Sequence, residues 1–275
     1  MTINCKGQLL DLSTPKVMGV LNLTPDSFYD GGKFKNEKEA LKQVEKYRID
    51  GLDILDIGAY SSRPGADDIS EDEELKRQSS VLKQITKEFP DLVISIDTFR
   101  SSVAKESLDQ GAHIINDISA GKLDEQMLEV IAKYQVPYIM MHMRGTPQTM
   151  KQLTTYDDLV KEVVYYFSER LAVTKKMGIN DVIIDPGFGF AKTTAQNFEL
   201  LNHLDILQSL DVPILTGISR KSMIYKTLGI DSKQALNGTT ALHMVALQNG
   251  SSILRVHDVL EAKECITLYQ KLKAK

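Results

Sequence analysis

Nine residues of this chain stand where a buried apolar run gives way to polar residues: Asn22, Arg63, Asp97, Asn116, His142, Asp185, Lys221, Arg255 and His257. They sort by chemistry. Asp97, Asn116 and Asp185 bring carboxylate and amide groups, a set able to face a flat heterocycle that carries both N–H donors and carbonyl acceptors. Lys221, Arg255 and His257 belong to the last two strand ends. Barrel enzymes commonly hold phosphate there with the help of a helix N-terminus, so these groups suit an anionic leaving group. Asn22 supplies a neutral oxygen of the kind Mg2+ accepts beside substrate phosphates, with water filling the remaining positions.

Each residue also has a structural reading. A single Asp at a strand end is often a helix N-cap, as Asp97 would be before Thr98 and a helix. Lys221 alone could be a solvated first-turn lysine or a Schiff-base amine. His257 alone would be a hydrogen-bonded structural histidine. Gly187-Phe188-Gly189 lacks the G-x-G-x-x-G spacing, so it reads either as room for a ligand against backbone or as a tight turn. His142 has no second ligand at metal spacing and takes no role, and the run Met140-Met141-His142-Met143 reads as strand core and pocket wall. It is the recurrence of polar strand ends that favours a site.

The pattern that must position these residues begins at Val17-Met-Gly-Val-Leu-Asn22, too short for a helix and without strict alternation, hence a strand buried on both faces. Similar runs follow at 53–57, 92–96, 113–115, 137–141, 181–184, 213–216 and 252–256. Helical periodicity fills the gaps. Asn36 with Glu39 reads as a capping box for a first helix ended by Gly51, and Ser70 with Glu73 for a second helix through Phe89. Further helices are predicted over 101–109, 124–133 and 156–177, from about Lys192 through Leu207, near 223–228, over 239–248, and at the end of the chain. Residues 2–12 read as a hairpin turning at Lys6-Gly7, a plug across the amino-terminal mouth. Eight buried strands alternating with helices predict a (β/α)8 TIM barrel with an N-terminal hairpin plug, an open doubly wound sheet being the alternative. At 275 residues and 42% hydrophobic the chain is expected to form one domain, 1–275.

A formal charge of −4 gives no global attraction to nucleic acid or to an anionic membrane, so an anion site must be a local cluster. Cys5 and Cys265 have neither C-x-x-C nor metal spacing and are expected as free thiols in a reducing cytoplasm. The amino terminus lacks the apolar core of a signal peptide, and no apolar run approaches the length of a membrane span.

Gly19-Val-Leu-Asn-Leu-Thr-Pro-Asp-Ser-Phe28, Ser62-Arg-Pro-Gly-Ala66, Ser95-Ile-Asp-Thr98, Ile114-Ile-Asn-Asp117, Met141-His-Met-Arg-Gly145, Asp185-Pro-Gly-Phe-Gly-Phe190, Gly217-Ile-Ser-Arg-Lys-Ser222 and Arg255-Val-His-Asp-Val259 together closely resemble the bacterial dihydropteroate synthase family, in the right order over about 16–260. The resemblance implies condensation of 6-hydroxymethyl-7,8-dihydropterin pyrophosphate with 4-aminobenzoate, with Mg2+ as cofactor and a homodimer as assembly. It implies a pterin pocket of Asp97, Asn116, Met140, Asp185, Phe190, Lys221 and Arg255. The diphosphate and Mg2+ would be held by Asn22, Arg63, Arg255 and His257, the metal itself by Asn22. Phe28, Ser62, Arg63, Pro64, Ser219 and Lys221 would enclose 4-aminobenzoate. Lys221, Arg255, His257 and Arg63 are then the catalytic set. Late apolar residues near Met244 and Leu247 are expected to pair two copies.

One departure is visible, since the family's second loop commonly reads Glu-Ser-Thr-Arg-Pro-Gly and here reads Tyr60-Ser-Ser-Arg-Pro-Gly65. Two other readings discriminate cleanly. A pterin-binding methyltransferase barrel would have no use for Arg255 and His257 as a diphosphate site, and a silent folate-binding barrel would have lost them.

Overall fold

The fold is described from a computed structural model over residues 1–23, 33–60 and 69–274, with the backbone alone for 33–36. The chain opens with β1 (Thr2–Cys5) and β2 (Gln8–Asp11), an antiparallel hairpin. Its two turn residues, Lys6 and Gly7, have φ of 51° and 92°. This left-handed pair matches the twist of a two-residue hairpin, and only Gly adopts the second position without strain.

The barrel strands and their helices then alternate: β3 (Lys16–Asn22), α1 (Lys33–Ile49), β4 (Ile54–Gly58), α2 (Glu71–Glu88), β5 (Val93–Asp97), α3 (Ser101–Asp109), β6 (Ile114–Asp117) and α4 (Met127–Tyr134). The second half is β7 (Tyr138–Met141), α5 (Leu159–Lys176), β8 (Val182–Asp185), α6 (Thr194–Asn202), β9 (Leu215–Thr216), α7 (Ser222–Leu228), α8 (Leu236–Gln248), β10 (Ile253–Val256) and α9 (Val259–Lys273). Eight parallel strands pair in the order β8-β7-β6-β5-β4-β3-β10-β9. A bridge between Ile184 and Ile214, with Ile184 N donating to Pro213 O at 3.0 Å, joins the two edges. The sheet is therefore a barrel and not an open doubly wound layer.

Side-chain parity along these strands decides what faces the lumen. Met18, Ile54, Val93, Ile114, Ile139, Ile183, Leu215 and Ile253, one from each barrel strand, form an apolar floor packed on Ile3, Cys5 and Leu12 of the hairpin segment. The hairpin is the plug the sequence predicts. Two residues further along the same faces stand Asp56, Ser95, Asn116, Met141, Asp185 and Arg255, and above them Asn22 and Asp97. The lumen thus changes from hydrocarbon to charge within two layers. The opposite parity, including Leu55, Ile57, Ile94, Ile96, Tyr138, Met140, Ile184 and Leu254, packs against the helices.

Capping accounts for several boundaries. Ser70 caps α2 by accepting from Glu73 N at 3.2 Å, while the Glu73 side chain turns to Arg77 instead of closing the box. α1 starts at Lys33, so Asn36 lies inside the helix and not at the N-cap position that the predicted Asn36–Glu39 capping box requires. Asp124 does not start α4. Its carboxylate accepts from Ser101 N at 2.7 Å and so serves the first turn of α3. Asp158 caps α5, two residues after the predicted start. A 3-10 segment, Leu204–Leu210, replaces the end of the helix predicted through Leu207. Leu247 is buried in the chain's own core, so it does not offer the pairing surface expected of it, whereas Met244 is only partly buried. Cys5 and Cys265 are buried free thiols, and no helix among the described residues is long and apolar enough to cross a membrane.

His243 on α8 is 1% exposed, and neither ring nitrogen has a hydrogen-bond partner among the described residues. Burial lowers its pKa to about 4, the pull of Asp258 being the smaller influence. The unfolded chain would protonate it near its ordinary value of about 6.5. Between these values the unfolded state binds more protons, so this group takes stability away as pH falls below 6.5. The buried carboxyls of Asp97, Asp117 and Asp185, whose pKa values are raised, act with the opposite sign. Comparing variants isolates the histidine. His243→Leu should gain about 2 kcal/mol on wild type between pH 7 and pH 5 in denaturant unfolding. Parallel pH curves for the two proteins would refute it.

Candidate active site

The polar layer is centred on Arg255. Its Nε donates to Asp56 Oδ2 at 2.7 Å and its Nη2 to Asp97 Oδ2 at 2.7 Å, and Asn116 Nδ2 donates to the same Asp56 oxygen at 3.2 Å. One guanidinium is shared by two carboxylates. Burial pushes Asp97 up to about 7, and Arg255 opposes this without cancelling it. The same pair of carboxylates raises the pKa of Arg255 against its burial. These bonds fix the guanidinium plane, so Arg255 presents its face to a ligand in a single orientation. Asp97 is thus an ion-pair partner and not a helix cap, the residue preceding α3 being Arg100.

Lys221 and Asp185 build the facing wall. A Cβ placed on Gly217 would have Asp185 Oδ2, Lys221 Nζ and Arg255 Cβ each at 3.9 Å, so the three side chains surround this glycine. Lys221 Nζ donates to Phe188 O at 2.5 Å and stands 5.0 Å from the centre of the Phe190 ring. Burial brings the Lys221 amine down to about 8, Asp185 opposing and Arg255 assisting. Asp185 is raised by burial, with Lys221 as the main opposing influence, and its Oδ1 accepts from Gly187 N at 2.8 Å. A charged amine beside an acceptor edge suits a heterocyclic amide.

Just past the end of β10 His257 is exposed, its Nδ1 3.1 Å from Ser219 Oγ, and its backbone N donates to the same hydroxyl at 3.2 Å. Asn22 Oδ1 and Asp97 Oδ2 lie 3.6 and 3.7 Å from a Cβ placed on Gly58, so Asn22 opens onto the same mouth. Among the described residues no three His, Cys, Asp or Glu side chains gather as a metal cage. One neutral oxygen at the rim does fit Mg2+, which keeps most of its water and takes few protein ligands beside substrate phosphates.

The structure therefore brings together Asn22, Asp97, Asn116, Asp185, Phe190, Ser219, Lys221, Arg255 and His257 around one mouth. Met140 is the exception: it shares the face of Tyr138 and is buried toward the helices. Met141, paired with Asp185 in the ladder, takes the lumen side instead. The reason is the period of two along a strand, which turns adjacent residues to opposite faces. Phe28, Ser62, Arg63 and Pro64 lie outside the described residues. Tyr60, at the edge of the second loop, is buried with its ring edge-on to Phe99 at 5.0 Å and beneath the Arg100 guanidinium at 5.2 Å.

Two residues of this region escaped the sequence reading. Asp56 lies within the run 53–57, whose apolar residues predict a strand buried on both faces. An ionised Asp inside a strand buried on both faces demands a partner, and that cost was the available signal. Lys192, two residues past the Asp185–Phe190 motif, is 8% exposed, beside His142. A separate cavity of ≈ 670 Å3 lies outside the mouth, lined among others by Lys122, His142, Arg144, Glu162 and Tyr166. Arg144 and Glu162 form an ion pair in it.

The sequence from 18 to 257 matches the family of pterin binding enzymes. The chain belongs to the pterin-binding enzymes. Among curated members it is 44% identical to the dihydropteroate synthase of Synechocystis over 246 residues, 88% of this chain and 85% of that one. With the dihydropteroate synthase of Escherichia coli K12 it shares 41% over 273 residues, 98% and 96% of the two chains. The solved dihydropteroate synthase of Yersinia pestis, in complex with a sulfonamide drug, superposes with a TM-score of 0.94 at 39% identity over both whole chains. That of Xanthomonas albilineans with 4-aminobenzoic acid gives 0.93 at 38%, covering 100% of this chain and 98% of the other. This pterin-binding enzyme thus resembles solved relatives along its full length, and the likeness spans the mouth just described.

Proposed function

We propose that this protein condenses 6-hydroxymethyl-7,8-dihydropterin pyrophosphate with 4-aminobenzoate to give 7,8-dihydropteroate and pyrophosphate, acting as one domain over 1–275 in the cytoplasm. The observation that carries the reading is the gathering of Asp97, Asp185, Lys221 and Arg255 at one barrel mouth. Two acceptors and two cations there match a pterin's N–H and carbonyl edge next to a diphosphate. The likeness to relatives solved with 4-aminobenzoic acid and with 7,8-dihydropteroate supports the amine substrate and the product.

In this reading Asp97, Asn116 and Asp185 hold the pterin edge, Lys221 reaches its carbonyl, and Phe190, Met141 and the Arg255 face bound the ring. Arg255, His257, Asn22 and Arg63 hold the diphosphate. Ser219 and Lys221, with Phe28, Ser62, Arg63 and Pro64, enclose 4-aminobenzoate. The bond from the pterin methylene to the diphosphate oxygen breaks, its electron pair leaving with the pyrophosphate, while the ring's electrons stabilise the methylene cation. The arylamine nitrogen then attacks that carbon and loses one proton. Fixed cations aimed at the departing charge lower the barrier most, and a neutral arylamine needs no dedicated base. Mg2+ held through Asn22 would add charge to the same leaving group. The homodimer belongs to this reading, with the partly buried Met244 on α8 as part of the pairing face.

A chelator that strips Mg2+ should abolish turnover, and added Mg2+ should restore it, followed by pyrophosphate release. Unchanged turnover under full chelation would remove the metal from the reading. Product analysis by mass with both substrates present tests the reaction itself.

A further inference from the structure

Lys192 is a buried amine for which the proposed reaction has no direct use; burial lowers its pKa to about 7, with the Asp185 carboxylate opposing. Its Nζ lies 2.9 Å from His142 Nδ1 and 3.0 Å from each of Gly187 O and Phe190 O. In its ammonium form the amine has three protons for these three neighbours. Burial drives the pKa of His142 well below its ordinary value, with Lys192, Arg144 and Lys122 acting in the same direction. That direction favours the neutral imidazole, and the tautomer with its proton on Nε2 offers the Nδ1 lone pair to the Lys192 ammonium.

The segment that Lys192 holds would not keep its shape on propensity alone. It passes through left-handed backbone at Gly187, Gly189 and Ala191, with φ of 69°, 84° and 49°. At Gly187 a Cβ would fall 2.1 Å from His142 O, so this turn runs directly against the end of β7. The same turn presents the Phe188 carbonyl that accepts from Lys221 and the Phe190 ring beside it. Gly189 N is tied to Asn197 Oδ1 at 2.6 Å, Ala191 O accepts from Tyr156 Oη at 2.9 Å and Gly187 O also accepts from Phe190 N at 3.1 Å, but none of these bonds joins the carbonyls of Gly187 and Phe190 to His142 as Lys192 does.

We propose that Lys192, with His142 as its fixed acceptor, is a positioning residue for the pterin site: it clamps the 187–190 turn so that the Phe188 carbonyl and the Phe190 ring meet Lys221. The unassigned His142 thereby gains a role that is neither metal ligand nor proton donor. This inference rests on the assignment of that wall to the pterin.

The test measures kcat and KM for the pterin pyrophosphate at saturating 4-aminobenzoate in wild type, K192M, K192R, H142L and H142N. Lys192→Met keeps the length and removes the donor, and should raise KM about tenfold or more, the scale of a lost charged hydrogen bond, while kcat changes much less. His142→Leu should move KM in the same direction. His142→Asn, whose amide oxygen can stand in for Nδ1, should recover much of that loss, as Lys192→Arg should recover part of the other. The double variant K192M with H142L should be no worse than K192M, because both break one clamp. If K192M does not fold, the H142L and H142N pair carries the same comparison. Wild-type KM in the folded variants, or a loss confined to thermal stability, would overturn the clamp. A wild-type protein that neither binds nor turns over the pterin would instead overturn the functional reading.

Discussion

Arg255→Met should lower the unfolding free energy by about 3–5 kcal/mol and abolish turnover. The guanidinium is the shared partner of Asp56, whose side chain is fully buried, and Asp97, whose side chain is 17% exposed. Without it two carboxylates face each other in the lumen without the cation that bonds both, and an undercompensated buried charge is the costliest result of breaking such a cluster. The pH dependence of the deficit identifies its cause. Carboxyls whose folded pKa is raised bind protons more readily in the folded state, so the deficit should shrink as pH falls from 8 toward 5. Adding Asp56→Asn to Arg255→Met should recover part of the loss at neutral pH. Denaturant unfolding checks all three statements, and a pH-independent deficit below about 1 kcal/mol would show that the cluster is not charged as described.

Asp185→Asn should weaken binding of a pterin ligand by about 1.5–3 kcal/mol, roughly 10- to 150-fold, with the fold retained. An amide oxygen at the same position can still accept from Gly187 N, so the turn keeps its anchor. What is lost is the charge that faces Lys221 and holds the amine's pKa up against its burial. Lys221 should then deprotonate at a lower pH than its present value of about 8, and the alkaline limb of pterin binding should move with it. Calorimetry across pH measures both effects. Wild-type affinity in Asp185→Asn would place the pocket elsewhere.

The fold was legible because its elements carry clear local signs: short apolar runs for the barrel strands, positive-φ chemistry at Lys6-Gly7, and a Ser cap at Ser70. Where sequence reading erred, the cause was a choice between near-equivalent local rules. Asn36 and Glu39 have capping-box spacing, yet α1 propagates through them from Lys33. Met140 and Met141 are indistinguishable by composition, and only the ladder register shows which one faces Asp185. The chemistry at Asp97 and Asp185 could be seen because each ends an apolar run, and that at Lys221 and Arg255 because cations stand at or just past the ends of the last two runs, where an anion is commonly held. Asp56 and Lys192 could not be found that way, since one lies inside such a run and the other ends a loop whose partners come from β7 and from its own backbone. Residues that act through other residues leave little trace in linear spacing.

The central claim is tested most directly by incubating the purified protein with 6-hydroxymethyl-7,8-dihydropterin pyrophosphate, 4-aminobenzoate and Mg2+, and following 7,8-dihydropteroate and pyrophosphate together. Equal amounts of the two products are expected, formed only when both substrates are present, and lost in Arg255→Met. Pyrophosphate release without dihydropteroate, or no turnover by a folded wild-type protein that binds the pterin, would contradict it.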